Sequence, residues 1–385
     1  MKLFLPGPVS VRSEVLKQFE KPVIGHRTKE ASEVQKSITI NMQKIFGTKE
    51  EILVSTSSGT GLMEGAIRSC TKKRALICSI GSFGDLWQRL GLENGIETDI
   101  LRAEDGEVTD PNKLEEALKS KEYDFVGITH NETSSGILNN LDELKPLIDK
   151  YPDIVWALDT VSSAGGTPID QDKYGIDIAI TSSQKCLSLV PGLSFASFSQ
   201  KAVEKAKTVE NRGHYFDLLL LYKYVKEHNY QYPSTPAISN MVAAEYQLNY
   251  IVNEEGLENR YKRHEEMSQY FKKWANENFE IFGNKKYLSP TITCVKNTKN
   301  LEFDKVSQEF MNKGFLISNG YGKLAGKTFR VGHMGDTKLE NIKEFTKTFE
   351  EILKKWDEEY PGWQDIFYWK NLFTKDLVEN LKFLI

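Results

Sequence analysis

Lys185 stands in "TSSQKCLSLVPG" (181–192), directly after the apolar run "GIDIAI" (175–180). A lysine is seldom buried without a partner, so either its stem packs while its ammonium reaches water, or its amine serves as a nucleophile. A second apolar run, "IVWAL" (154–158), ends in Asp159. An unpaired buried carboxylate is costly, so Asp159 either caps a turn or pairs with a cationic group on a ligand. The stretch "SSGTG" (57–61) follows "ILV" and opens a helical pattern. Small residues there let backbone N–H groups approach an anion, and a helix N-terminus favours negative charge. A phosphate suits this place; because the lysine of a P-loop is missing, a tight strand-to-helix turn is the plainer reading.

Lys185 follows Asp159 by 26 residues (185 − 159), with one more strand-like run between them. Adjacent strand ends would bring the acid and the amine into one crevice. An amine, an acid and a phosphate cradle are the parts that pyridoxal phosphate chemistry needs. The amine condenses with the aldehyde as a Schiff base, the acid keeps the pyridine nitrogen protonated, and an aromatic ring stacks on the pyridine.

A frame must hold these residues. Strand-like runs lie at 51–56, 74–80, 97–103, 124–130, 154–159, 176–182 and 193–199, with helical patterns at 61–70, 83–95, 111–120 and 141–151. Strands apolar on both faces and separated by helices predict a three-layer αβα unit with a mostly parallel, seven-stranded sheet. Ligands bind at the carboxyl ends of such strands. A long helical stretch, 237–280, has a glycine near its middle, Gly256. Strand-like 291–297 and 327–333 with helical 303–314 and 337–356 predict a smaller α+β domain. The expected division is an arm (1–20), a large cofactor-binding domain (21–262), a small domain (263–356) and an aromatic-rich extension (357–385).

Bulk properties narrow the classes of function. The chain has 385 residues and a net charge of −4, which gives no electrostatic reason to expect nucleic acid or an anionic membrane as partner. No apolar run approaches a membrane span of about 18 residues, and Pro6 cuts the first apolar run too short for a signal peptide. The four cysteines, Cys70, Cys78, Cys186 and Cys294, lack metal or disulfide spacing. A reduced, cytoplasmic protein without a metal site is expected.

The segments "PGP" (6–8), "GHRT" (25–28), "SSGTGLMEGA", "THNETSSGIL", "ALDTVSSAGGTPID", "SSQKCLSLVPG", "YPSTPAI" and "GKTFRVG" occur in this order. Together they resemble the class V aminotransferases of fold type I, most closely the serine/alanine–glyoxylate (or pyruvate) aminotransferases. The resemblance runs from "LPGPVSV" to "FRVGHMGD". It implies that Lys185 carries the Schiff base and that Asp159 binds the pyridine nitrogen. It implies that Ser58, Gly59, Thr60 and Gln184 line the phosphate, that Phe83 stacks on the ring and that Thr133 bonds the ring oxygen. Arg330 would grip the substrate carboxylate, with Pro6 and Gly7 over it. Tyr232 and Thr235 match a segment that reaches the cofactor of the other subunit in the family's homodimers. Thr60 departs from a residue that is often histidine in such relatives, and Phe83 from a frequent tryptophan.

The activity so implied moves the amino group of serine or alanine to pyruvate or glyoxylate in a ping-pong cycle. Alternatives are a 2-aminoethylphosphonate–pyruvate aminotransferase, a cysteine desulfurase-like lyase, and a non-catalytic nucleotide-binding module. His333 is expected to be solvated or to cap a turn, and Cys186 to be a small packing residue.

Overall fold

The computed structural model describes residues 1–359 of the chain. Seven short runs become strands: β1 (Glu51–Ser55), β2 (Ala75–Ser79), β3 (Thr98–Arg102), β4 (Phe125–Thr129), β5 (Val155–Asp159), β6 (Ile178–Ser182) and β7 (Ser194–Phe198). They form one sheet in the order β1-β7-β6-β5-β4-β2-β3. Only β7 runs antiparallel to its neighbours.

Side chains alternate across a strand, and here both sets are apolar. Trp156 and Leu158 enter one core, Val155 and Ala157 the other. In β1, Ile52 and Val54 face the first core and Leu53 the second. The first core is closed by helices Lys29–Phe46, Leu141–Lys150 and Ile238–Asn249. The second is closed by Gly59–Cys70, Gln200–Lys207 and Leu218–Glu227. Three αβα layers follow directly from the double-sided hydrophobicity of the strands.

A second sheet, of four antiparallel strands, comprises β8 (Glu280–Ile281), β9 (Ile292–Lys296), β10 (Ser318–Asn319) and β11 (Thr328–Gly332), in the order β8-β9-β11-β10. Helices Leu257–Asn278, Phe303–Asn312 and Leu339–Glu359 accompany it, around an aromatic core that includes Phe271, Trp274, Phe310, Phe345 and Phe349. Gly256, at φ +79°, separates helix Leu257–Asn278 from the π-helical segment Tyr250–Glu255 that continues the helix before it. Helix Leu339–Glu359 runs three residues past 356; the remainder of the expected extension lies outside the described residues.

The first residues join the smaller sheet's side of the molecule. Lys2–Leu3 pairs in parallel with Phe315–Leu316, and Phe4 is buried in the aromatic core. The chain then threads between Gly332 and the Lys185 loop. Gly332 N–H donates to Phe4 O at 2.9 Å, and Val9 N–H to Gln184 O at 3.2 Å. A side chain on Gly332 would overlap Leu5 O, so only glycine lets the backbones approach this closely.

Candidate active site

β4, β5 and β6 are neighbours at the centre of the large sheet, and their carboxyl ends carry His130, Asp159 and Lys185. The crevice is therefore an outcome of strand order: Thr129 sits opposite Asp159, and Asp159 opposite Ile180. Asp159 is 4 % exposed, and its Oδ1 accepts one N–H, from Val161 at 2.9 Å. Burial pushes its carboxyl up to about 7, with the Val161 N–H opposing and the nearby Glu132 charge adding to the rise.

Lys185 hangs on the turn after β6, and its Nζ donates to Pro6 O. Burial lowers its amine to about 8, and the Arg330 charge lowers it further, while Asp159 and Glu132 act in the other direction. Gly7 presses on its stem: a Cβ there would overlap Lys185 Cδ and lie 2.7 Å from Cε. Cys186 is buried and its thiol is pushed up by burial, which fits a packing role.

Ser58 is the exposed N-cap of helix Gly59–Cys70, and its side chain makes no capping bond. A Cβ on Gly59 would sit 2.6 Å from Val161 Cγ2, so this helix start lies against the Asp159 turn. Ser182 Oγ, 3.8 Å from the same point, is buried with no hydrogen-bond partner among the described residues. Thr60 is half-buried in the helix's first turn, and Gln184 is half-buried beside Lys185. Tyr232 is buried in its own chain, where Thr56 N–H donates to its hydroxyl at 3.3 Å; Thr235 is exposed.

Phe83 lies in the first turn of helix Ser82–Glu93, after β2. Its backbone N–H donates to Glu132 Oε2 at 3.1 Å, and its ring stacks on Tyr321. Thr133 tops a hairpin, Asn131–Glu132 with Ile137–Leu138, where a plain loop is the natural reading of the sequence; its hydroxyl hydrogen-bonds that of Ser162. Arg330 projects from β11. Its guanidinium donates to Asn319 O at 3.0 Å, Thr133 O at 3.3 Å and Ser318 Oγ at 2.9 Å. No ion pair joins it to a carboxylate among the described residues, although it is buried. A buried, planar cation satisfied only by neutral acceptors is suited to an incoming carboxylate.

Two further residues belong to this place. Glu132 is fully buried and accepts from Phe83 N–H and from the N–H and hydroxyl of Ser134. In the sequence it stands beyond the apolar run "FVGIT", with His130 and Asn131 between, so it lacks the strand-end signal that marks Asp159. Arg260 is fully buried; it donates to Gly165 O at 3.0 Å and Cys186 O at 2.6 Å, tying the Asp159 and Lys185 loops together. Nothing in "LENRYKRHEE" distinguishes it locally. His333, in contrast, is neither solvated nor a cap. It is fully buried, hydrogen-bonded through Nε2 to Thr293 Oγ1 at 2.8 Å, and burial lowers its imidazole to about 3.

The model of the family described as Aminotransferase class-V matches residues 14–326. The chain belongs to the class-V aminotransferases. An uncharacterized aminotransferase of Methanocaldococcus jannaschii is 36 % identical over 339 residues, covering 86 % of this chain and 87 % of that one. A serine–glyoxylate aminotransferase of Methylorubrum extorquens is 29 % identical, covering 87 % and 86 %. The solved structure of an alanine–glyoxylate aminotransferase from Nostoc superposes with a TM-score of 0.86 at 27 % identity, covering 91 % of this chain and 94 % of that one. The αβα fold and the aminotransferase class expected from the sequence both stand. For this class-V aminotransferase no helix among the described residues is long and apolar enough to cross a membrane.

Proposed function

We propose that this aminotransferase uses pyridoxal 5′-phosphate to move the amino group of serine or alanine to pyruvate or glyoxylate. The observation that carries the reading is one crevice holding a depressed amine at Lys185, a buried acid at Asp159 and, at Arg330, a buried arginine without an acidic ion-pair partner among the described residues. Relatives named for serine, alanine and aspartate with glyoxylate support the substrate class.

The residues fit the cofactor. Among the described residues Asp159 forms no ion pair and Ser182 Oγ is buried and unpartnered, and the glycine-opened helix start at Ser58–Gly59 lies against both turns. When bound, the cofactor supplies an aldehyde for the amino group and a ring that accepts electrons from the substrate Cα. Ser58, the N–H groups of Gly59 and Thr60, and Gln184 would hold its phosphate. Asp159 would keep a proton on the ring nitrogen, Thr133 would bond the ring oxygen, and Phe83 would stack on the ring. The Lys185 amine, lowered towards neutrality by burial, is suited to take and return the proton at the substrate Cα. Arg330 would orient the substrate carboxylate, with Pro6 and Gly7 closing over it.

The same proposal places the chain in the cytoplasm as a homodimer, with the Tyr232–Thr235 segment near the other subunit's cofactor. It divides the chain into an arm (1–20), a large domain (21–262) and a small domain (263–356). Separate sheets and separate apolar cores support the last two. The desulfurase alternative needs an accessible thiolate. All four cysteines are buried and their thiols are pushed up by burial.

The purified, cofactor-loaded protein should absorb at the edge of the visible, and L-alanine or L-serine should bleach that band. Borohydride should attach the cofactor to Lys185. A Lys185→Ala variant with full turnover would sink the reading.

A further inference from the structure

We propose that Tyr321 sets the size limit on the substrate side chain, an inference that rests on the reading of Arg330 as the carboxylate grip. Tyr321 sits between Gly320 and Gly322 in the turn joining β10 to β11. Its ring lies parallel to that of Phe83, with centroids 5.5 Å apart and planes 12° apart. The Arg330 guanidinium carbon is 5.3 Å from the same ring's centroid. One aromatic plate therefore touches both the stacking ring and the cation.

The backbone holds the plate there. A side chain on Gly320 would overlap Leu324 O, and one on Gly322 (φ +57°) would lie 2.6 Å from Ser82 Oγ, the residue before Phe83. The turn thus packs directly on the helix start that carries Phe83. The turn also carries the arginine's partners, Ser318 Oγ and Asn319 O. Core packing does not account for the ring, which is 48 % exposed. It covers one face of Phe83, so a ligand ring stacked on Phe83 would take the other. A carboxylate held by Arg330 then has its side chain directed past Tyr321, and a long chain meets the aromatic face. Alanine, serine, glyoxylate and pyruvate are short enough to fit. One methylene against a shaped apolar wall changes selectivity by roughly 10- to 200-fold.

Two measurements on the full chain test this. Calorimetric titration of cofactor-free protein with acetate, butyrate and hexanoate should show affinity falling at least about tenfold towards hexanoate in the parent. In Tyr321→Ala that fall should vanish, while Tyr321→Phe should follow the parent. The same length profile in the parent and Tyr321→Ala, whether falling, flat or absent, overturns the proposal. In the loaded enzyme, the rate with L-2-aminohexanoate relative to L-alanine should rise about tenfold or more in Tyr321→Ala; an unchanged ratio also overturns it. Should the parent turn over neither amino acid, the proposed reaction fails, and the carboxylate titration still decides the role of Tyr321.

Discussion

Asp159 illustrates how a single residue can be unfavourable alone and suited to its ligand. Burial raises its carboxyl to about 7, outweighing the Val161 N–H and the Lys185 charge that oppose the rise, whereas in an unfolded chain it titrates at about 3.9. Between these values the folded protein holds a proton that the unfolded chain releases. Stability is therefore lost as pH rises through that window, and the full cost is present above it. At 1.36 kcal/mol per pH unit the cost is on the order of 1–4 kcal/mol. Asp159→Asn carries no charge at any pH and still accepts the Val161 N–H. In urea unfolding of cofactor-free protein at about pH 8, the variant should be more stable than the parent, and the gap should close by about pH 4. The cofactor should stabilise the parent more than the variant. A parent that is the more stable protein at pH 8 without cofactor would contradict the assignment of the shift to burial.

Among the elements, the N-terminal arm has a larger part than its length suggests. It adds a strand beside Phe315–Leu316, buries Phe4 among aromatics, and then brings Pro6 and Gly7 onto Lys185. Gly7 has φ +97° and no room for a Cβ against the lysine stem. Gly7→Ala must move either the arm or the amine. We expect kcat to fall at least about tenfold, with a stability loss of about 1–3 kcal/mol for the strained backbone. Gly326→Ala separates the two effects: Gly326 also has a positive φ, but a Cβ there meets nothing within 4 Å. It should lose stability and keep its kcat. Equal losses of kcat in both variants would deny the arm a direct bearing on Lys185.

Across the whole molecule, a buried ion network joins the strand-end loops to the region of the smaller sheet. Arg260 pairs with Glu255 and with Asp336 at 2.9 Å while donating to Gly165 O and Cys186 O. Arg12 binds Asp336 at 2.9 Å, and Gln247 links Asp336 to Leu187 O. Arg263 binds Glu255 and Gly335 O. Removing one member of a buried pair typically costs 3–5 kcal/mol, because the remaining charge stays desolvated. Arg260→Met should cost about 3 kcal/mol, at the low end of that range, since Arg12 and Arg263 still face the two carboxylates. The urea midpoint measures this; an unchanged midpoint would mean that the network does not hold the two regions together.

The strands of the large sheet, the three layers and the strand-end positions of Asp159, Lys185 and Ser58–Gly61 were legible in the sequence. Hydrophobic periodicity and small residues at strand ends are local signals, carried within a few residues of the feature they mark. The aminotransferase class was legible too, because eight segments in order form a pattern that chance rarely repeats. What the tertiary structure alone decided involves partners far apart in the chain. Arg260 meets Cys186, Tyr321 meets Phe83, Pro6 meets Lys185, and His333 is buried against Thr293. No local window contains both members of any such pair. Their contact depends on sheet order and on how the arm and the smaller sheet close over the crevice, and burial, which raises the Asp159 carboxyl and lowers the Lys185 amine, exists only once those surfaces meet.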